Sequence, residues 1–317
     1  MFLDVLSREK LVRMLTNDHM FVIDSSEFGD WSACTAKGMF KGGVRRVNAA
    51  SQSALLFGGA VHKGLATYLK GGTVEEAMSS TRVEAVSTGL DTCLDPKRTI
   101  EKAVQMVESY IHHETIMGKK IIPLELNGIK MVEENFALPF AMVETKHFGT
   151  IQIMWSGIID VIALEDNVLW VLDHKTTSMM GEKFIDDKER GNQLPGYTWV
   201  GRELTKALDK RLEGAIVNAL CHRTGGFEFK RFKLPFNQWK IDEWKEQTIQ
   251  RCTSIIDSVG DVLQGDLISV NRESCVTKYG KCSYFDVCNT VPTLRDKLLF
   301  DDAFFKENVW NPSQIEG

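Results

Sequence analysis

The chain lacks any apolar run long enough to cross a bilayer, which takes about 20 consecutive residues. Its first residues, Met1-Phe2-Leu3-Asp4-Val5, carry neither the basic nor the apolar region of a secretory signal. These two absences give the expectation of a soluble, intracellular protein with no membrane partner. There is no excess of positive charge either: 38 Lys and Arg against 43 Asp and Glu leave a net charge of −5. No basic surface advertises nucleic acid overall, but a local basic groove stays compatible, because phosphate contact depends on clustered charge. Internal repeats and low-complexity linkers are missing as well. What remains is 317 residues, 43% hydrophobic, enough for one large core or two ordinary ones. Seven cysteines in a reducing compartment are thiols or metal ligands rather than disulfides.

The most informative stretch runs from Ile151 to Lys175. Ile151 to Leu164 and Val168 to Leu172 are rich in β-branched and aromatic residues, and Glu165-Asp166-Asn167 separates them as a turn. That pattern predicts a hairpin. Asp160 falls inside the first strand, and Asp173 and Lys175 close the second. Side chains two apart share a face, so Asp173 and Lys175 point the same way, and Asp160 lies close enough across the ladder to join them. Buried charge needs a partner or a metal. Two carboxylates and waters suit Mg²⁺ or Mn²⁺, and a neighbouring ammonium can steady developing negative charge. A solvated hairpin with an ordinary ion pair fits the same residues.

Upstream, Ser7 to Leu15 has helical spacing at Leu11, Val12 and Leu15, and Asp30 to Phe40 carries Cys34 and Lys37. A helix from Ser53 to Tyr68 stacks Gly58 and His62 on one face. Two more follow at Val74 to Gly89 and Thr99 to Met117, with His112-His113 as surface decoration. Lys130 to Leu138 alternates as a strand leading into the hairpin, and either Glu133 or Glu134 is a candidate to reach its polar face. Downstream, Thr176-Thr177-Ser178 reads as a polar loop. A helix over 187–207 places Gln193 and Tyr197 on one face, although Pro195 and Gly196 strain that boundary. Ala215 to Leu220 is a buried strand, Glu228 to Leu234 a strand with a basic face, and Asn237 to Leu263 a long helix with Trp239, Trp244 and Ile255 inward. Near the C-terminus, Cys275, Cys282 and Cys288 fall within fourteen residues. Thiolates favour soft or borderline metals. Three make an incomplete tetrahedral set, and Cys34, Cys93, Cys221 and Cys252 are the candidates for the fourth.

Together, Cys34, Gly58-x-x-x-His62, Gly157-Ile158-Ile159-Asp160, Asp173-His174-Lys175-Thr176, Gln193-x-x-x-Tyr197 and the three late cysteines resemble, in this order, the PD-(D/E)XK nucleases. The branch they are most similar to is the RecB-like one with an iron–sulfur cluster, which includes the Cas4 and AddB nucleases and phage exonucleases. The resemblance implies that His62, Asp160 and Asp173 hold Mg²⁺ or Mn²⁺, with the His174 carbonyl as a further ligand. It implies that Lys175 is catalytic and that Gln193 and Tyr197 line the DNA path. It groups Cys34 with Cys275, Cys282 and Cys288 around a [4Fe–4S] cluster. Three features depart from the family pattern, one of them tolerated: Asp173 stands where Glu is also common. Six residues separate Cys275 from Cys282, where two are common, and Thr35-Ala36-Lys37 stands where Pro-Arg-Lys often follows the first cysteine. Zn²⁺ therefore stays open as an alternative.

The expected fold is α/β, a restriction-endonuclease-like core with a mixed central sheet flanked by helices. The expected organisation is one nuclease domain over 1–317: a mainly helical part at 1–125, the catalytic sheet at 126–235, and the last helix with the cysteines at 236–317. The implied activity is metal-dependent hydrolysis of DNA, as an exonuclease on single strands or duplex ends, in recombination, repair or phage genome processing. Replication or recombination proteins are the implied partners, and the cytoplasm of a bacterium or phage-infected cell the implied location. The rival readings are an inactive DNA-binding subunit of the same fold and a zinc or redox protein organised by its cysteines.

Overall fold

Alternating apolar residues on either side of Asp166-Asn167 do form a hairpin. In a computed structural model of the chain, residues 7, 9–11, 19–49, 53–118, 120–208, 210–223, 225–277 and 280–308 are described. In chain order the main elements are β1 (Met20–Asp24), α1 (Ser25–Ala33), α2 (Ser53–Leu69), α3 (Val74–Ser87), α4 (Ile100–Met117), β2 (Val132–Thr145), β3 (Gly149–Glu165), β4 (Val168–Thr177), α5 (Glu182–Glu189), α6 (Gln193–Thr205), β5 (Leu212–Arg223), β6 (Gly226–Pro235) and α7 (Gln238–Gln264). The chain divides into two units. A hairpin unit comprises Ser51–Asn135 and Ile158–Ile241; a cysteine unit comprises Met1–Ala50, Phe136–Gly157 and Asp242–Gly317. Neither follows the sequential division at 125 and 235.

In the hairpin unit, Glu165 pairs with Val168, and the antiparallel register runs back to Val161 opposite Leu172. The turn is thus two residues, tighter than expected from the sequence. Asp166 and Asn167 take φ of 51° and 65°, the left-handed geometry of a type I′ turn, which these residue types tolerate. Parallel pairing follows between β4 and β5, from Leu169–Leu212 to Thr177–Cys221. A parallel pair needs a long crossover, and α5 with α6 supplies it. β6 returns antiparallel to β5. The sheet is therefore mixed.

Helices cover both faces. On one, Ala66 and Leu69 of α2 pack with Trp170, Leu172 and Ile216, and α2, α3 and α4 share a second apolar cluster that includes Phe57, Val61, Val107 and Leu220. On the other, α6 lies against β4 and β5. Its approach is close: a Cβ at Gly201 would come within 2.7 Å of Leu212 and 2.8 Å of Val171.

Several sequence expectations need correction. Residues 187–207 form two helices rather than one. The second starts at Gln193, so Pro195 falls in the first turn, where no intrahelical N–H bond is lost. Thr176 and Thr177 are strand residues, not loop, because β5 continues alongside them. Trp239 is 60% exposed, whereas Trp244 and Ile255 are buried. His113 is half-buried, its ring 5.4 Å from that of Phe229. In the expected first helix, Leu11 is helical and buried, while Val12 and Leu15 lie outside the described residues.

In the cysteine unit, β1 runs parallel to residues 152–156 of β3, and Trp155 sits at the centre of an aromatic cluster. Phe28, Phe140 and Trp244 lie 5.9, 5.7 and 5.4 Å from it, ring centre to ring centre.

Gly201→Val should force α6 off the sheet. The expected destabilisation is about 1–3 kcal/mol, the usual range for overpacking, read as a lower urea midpoint; an unchanged midpoint would refute this packing.

Candidate active site

Asp160 arrives on β3, Asp173, His174 and Lys175 on β4, and His62 on α2. Carried one step beyond Val161–Leu172, the register sets Asp160 opposite Asp173. The carboxylate of Asp160 accepts the His174 backbone N–H at 2.7 Å, tying the two strands beyond their paired ladder. Nδ1 of His62 lies 3.4 Å from the same Asp160 oxygen. Lys175 Nζ donates to Asp173 Oδ1 at 2.8 Å. The other Asp173 oxygen, Oδ2, is buried and has no hydrogen-bond partner among the described residues. A buried carboxylate oxygen left without a donor is costly, and it is the kind of atom a cation would satisfy.

Glu133 joins this group, and Glu134 does not. Donor atoms of His62, Glu133 and Asp160 lie within 4.8 Å of one another, a spacing that can hold a metal ion. Glu133 has φ of 55°, a left-handed conformation uncommon for a residue with a side chain and a mark of functional positions. Asp173 is not part of that tight trio; it adjoins it through Asp160 and Lys175.

The charges are strongly coupled. Burial disfavours the His62 cation, but the charge of Asp160 and its hydrogen bond win, raising His62 to about 9. Burial likewise opposes ionisation of Asp160, and His62 overcomes it, so this carboxylate is held well below the usual range. For Asp173, burial dominates and moves the carboxyl up despite Lys175. Burial and then the Asp160 charge raise Glu133 to about 7. Lys175 is held above its ordinary value: Asp173 and Asp160 outweigh its burial. Lys188 on α5 is pushed the other way, by burial and by Lys175. Nothing in the sequence pattern pointed to this second ammonium.

Burial lowers His174 to about 3, so its ring is neutral at physiological pH. Asn218 Nδ2 lies 2.8 Å from His174 Nδ1 and donates to it, which leaves the ring proton on Nε2. The same amide donates to Tyr110 Oη at 2.9 Å. Arg231 donates to Tyr110 at 3.1 Å and pairs with Glu114. This buried chain fixes the β4 backbone at His174. The one polar residue in the apolar run from Ala215 to Leu220 was the available signal for it.

On α6, Gln193 Nε2 donates to Tyr197 Oη at 3.1 Å. Tyr197 is buried and Gln193 half-buried.

In the cysteine unit, Cys34 ends α1 and is 7% exposed; its sulfur accepts the Asn271 N–H at 3.4 Å. Cys275 and Cys282 are linked by a backbone hydrogen bond of 2.8 Å, and Cys288 lies on the helix Phe285–Asn289. Burial raises the Cys288 thiol to about 11, with the charges of Cys34, Cys275 and Cys282 adding to it. Among the described residues, no three of these sulfurs lie within 4.8 Å of one another. Cys252, also in this unit, is buried among apolar groups and raised to about 12 by burial. Cys93 and Cys221 belong to the hairpin unit.

Three carboxylates, an imidazole and an ammonium thus converge near the β4 end of the hairpin. The profile of the PD-(D/E)XK nuclease superfamily matches residues 33–289, and the chain belongs to that superfamily. Among solved structures, a candidate exonuclease from Eubacterium rectale is similar over 84% of this chain and 90% of its own, at 16% identity and a TM-score of 0.47. The protein SSO0001 is similar over 77% of this chain and 84% of its own, at 11% identity and a TM-score of 0.27. No curated protein matches the chain. No helix among the described residues is long and apolar enough to cross a membrane.

Because Asp160 holds the proton on His62, Asp160→Asn in metal-free protein should move the His62 titration from about 9 to below the ordinary histidine value. Histidine NMR across pH reads this directly, and a titration that stays put would break the coupling. The linkage sign follows. The folded value lies above the ordinary 6.5, so the interaction stabilises metal-free protein fully below pH 6.5 and ceases to do so above about 9.

Proposed function

We propose that this protein is a divalent-metal-dependent deoxyribonuclease acting as an exonuclease, of the iron–sulfur branch that includes the Cas4 and AddB nucleases. The observation that carries the reading is Asp173: one oxygen is held by Lys175, and the other is buried beside Asp160 without a donor. His62, Asp160 and Asp173 would hold Mg²⁺ or Mn²⁺, with Glu133 and the His174 carbonyl completing the set. When bound, the ion supplies Lewis acidity toward the phosphate and lowers the pKa of water.

The remaining roles belong to the chain. Lys175, anchored on Asp173, carries a fixed positive charge at the place where a phosphate gains negative charge on attack. Asn218 and the His174 N–H to Asp160 hold that strand end in place, which preserves the alignment on which in-line attack depends. Gln193 would donate toward the DNA backbone, with Tyr197 fixing its rotamer. Protons compete with the ion at His62 and Glu133, so metal affinity should rise between neutral pH and about 9.

Cys34, Cys275, Cys282 and Cys288 would hold a [4Fe–4S] cluster.

End-labelled single- and double-stranded oligonucleotides with Mn²⁺ test the activity. Wild type should shorten them from the ends, and Asp160→Ala or Asp173→Ala should abolish this while sparing binding. Lys175→Ala should cost about 10²–10³ in kcat, the scale of one lost electrostatic donor, with Mn²⁺ affinity little changed. Lys175→Arg should not restore it. Equal losses in metal binding and turnover would reduce Lys175 to a strut, and wild type without cleavage would leave an inactive DNA-binding relative.

Protein purified anaerobically should be brown, with iron and sulfide near four each per chain. Cys34→Ser should bleach it, and Cys252→Ser should not. A colourless protein with one zinc would keep the four ligands and discard the cluster.

A further inference from the structure

Beyond the β4 end of the site, the hairpin unit opens into a cleft of about 630 Å³. Its floor is Thr176, Thr177 and Ser178, which follow Lys175 directly. One wall is α2 and the start of α4; the other is the β5–β6 turn. Lys97, Arg98, Lys102 and Arg223 line it, and among the described residues no carboxylate does. In a chain of net charge −5 this is a concentrated positive field. His222 on the second wall feels it: burial first, and then Lys102, Arg98 and Lys97, push its imidazole down. Arg98 is paired with Asp95 and Arg223 with Glu228, whereas neither Lys97 nor Lys102 has a carboxylate partner among the described residues; Lys102 donates to the Pro96 carbonyl at 2.6 Å.

A second basic hollow in the same unit provides the contrast. Lys206, Lys210 and Arg211 lie at the other end of the strands, beside the start of β5. There Lys206 pairs with Glu203, Arg211 with Glu213, and Lys210 donates to Asn167. There glutamates meet two of the three cations; in the cleft beside Thr176 neither lysine meets one among the described residues.

The cleft also carries aromatic surface. The rings of His222 and Phe227 lie 5.6 Å apart, and Phe227 is half-buried. A positive groove with aromatic platforms is how proteins hold a single strand, phosphates to the cations and bases on the rings. The spacing to the chemistry is set by α2. Ala54 lines the cleft and precedes His62 by two turns, about 12 Å along the axis. Gly58 lies between them, and a Cβ there would come within 3.2 Å of Thr176 Oγ1, so α2 and β4 approach closely there.

Resting on the nuclease reading, we propose that this cleft is a single-strand subsite, in which Lys97, Lys102 and Arg223 hold the sugar–phosphate backbone about 12 Å from His62 while His222 and Phe227 take the bases. The substrate class follows: a strand must be unpaired on this side of the cut, because helix and hairpin wall the cleft on both sides.

The test is binding of a labelled 12-nucleotide single strand, and of the blunt duplex of equal length, in EDTA, where no cleavage occurs. Lys97→Glu with Lys102→Glu should weaken the single strand at least tenfold, and the duplex less than threefold. Lys97→Ala with Lys102→Ala should lower the salt slope by about 1.4, or 0.7 for each lost phosphate contact. Lys206→Glu with Lys210→Glu, which changes net charge equally, should leave both unchanged. Lys97→Glu alone, at an exposed position, carries the test if the double variant does not fold. Single-strand affinity equal to that of the control variant would overturn the subsite, and equal losses on strand and duplex would overturn the single-strand assignment. A wild type that binds through Lys97 and Lys102 yet never cleaves with Mn²⁺ would sink the nuclease reading and keep the cleft. Cleavage with unchanged KM in the lysine variants would do the reverse.

Discussion

The hairpin unit is governed by the need to bury several charges at one strand end. Asp160, Asp173 and His174 are almost inaccessible, and Lys175 stands over them. Leaving one such charge without its partner costs about 3–5 kcal/mol, more than any single apolar contact returns. Asp160 meets this by taking His62 and the His174 N–H together. The result is a proton economy: His62 keeps a proton up to about pH 9 and Glu133 up to about 7. In the metal-free protein these protons supply the positive charge that a cation would otherwise bring. The position of α2 and the polar chain from Asn218 to Glu114 both serve that balance.

Much of this was legible in the sequence, because a hairpin is local. Asp173 and Lys175 share a face by the two-residue repeat alone, and the turn at Asp166-Asn167 sets which residue stands opposite Asp160. What could not be read depends on partners distant in the chain. Thr176 and Thr177 look like loop residues until β5 runs beside them. Asn218 is one polar residue in an apolar strand, and its meaning comes from the parallel pairing that sets it against His174. Lys188 lies on a short, polar helix with nothing in its pattern to point inward. Trp239 was misread because hydrophobicity was taken as burial; its ring instead lies 5.9 Å from the Lys240 ammonium on the exposed side of α7. Pro195 looked disruptive only while the helix was assumed to begin six residues early.

The cysteine unit follows a different logic. Its centre is aromatic, with Trp155 fully buried among Phe28, Phe140 and Trp244, and it does not need its cysteines for apolar mass. Cys252 already behaves as a core thiol. The other four are held at the ends of short elements, Cys34 by the Asn271 N–H and Cys275, Cys282 and Cys288 by turn hydrogen bonds. Those elements are too short to be stable from their own helical or strand bonds. Residues 34 and 288 bracket nearly the whole superfamily match, so a bond network joining them would close a loop as long as the family's common core. Closing long loops restricts the unfolded chain most in principle.

An acidic protein can still be built to hold a polyanion, and the reason is screening. At physiological ionic strength a charge is felt over about 8 Å, so the net −5, spread over the whole surface, is not what a phosphate in a cleft encounters. It encounters the side chains within that radius. Beside Thr176 the arginines meet Asp95 and Glu228, and Lys97 and Lys102 meet no carboxylate among the described residues; beside the start of β5, Lys206 and Arg211 meet glutamates and Lys210 an amide. Both hollows are basic by residue count, yet the first has more lysine charge left to exchange counterions for phosphate, which is where the affinity of nucleic-acid binding arises. Net charge and even local composition are therefore the wrong scale. The deciding quantity is how many cations in a concave site remain unspent once the fold's own ion pairs have formed.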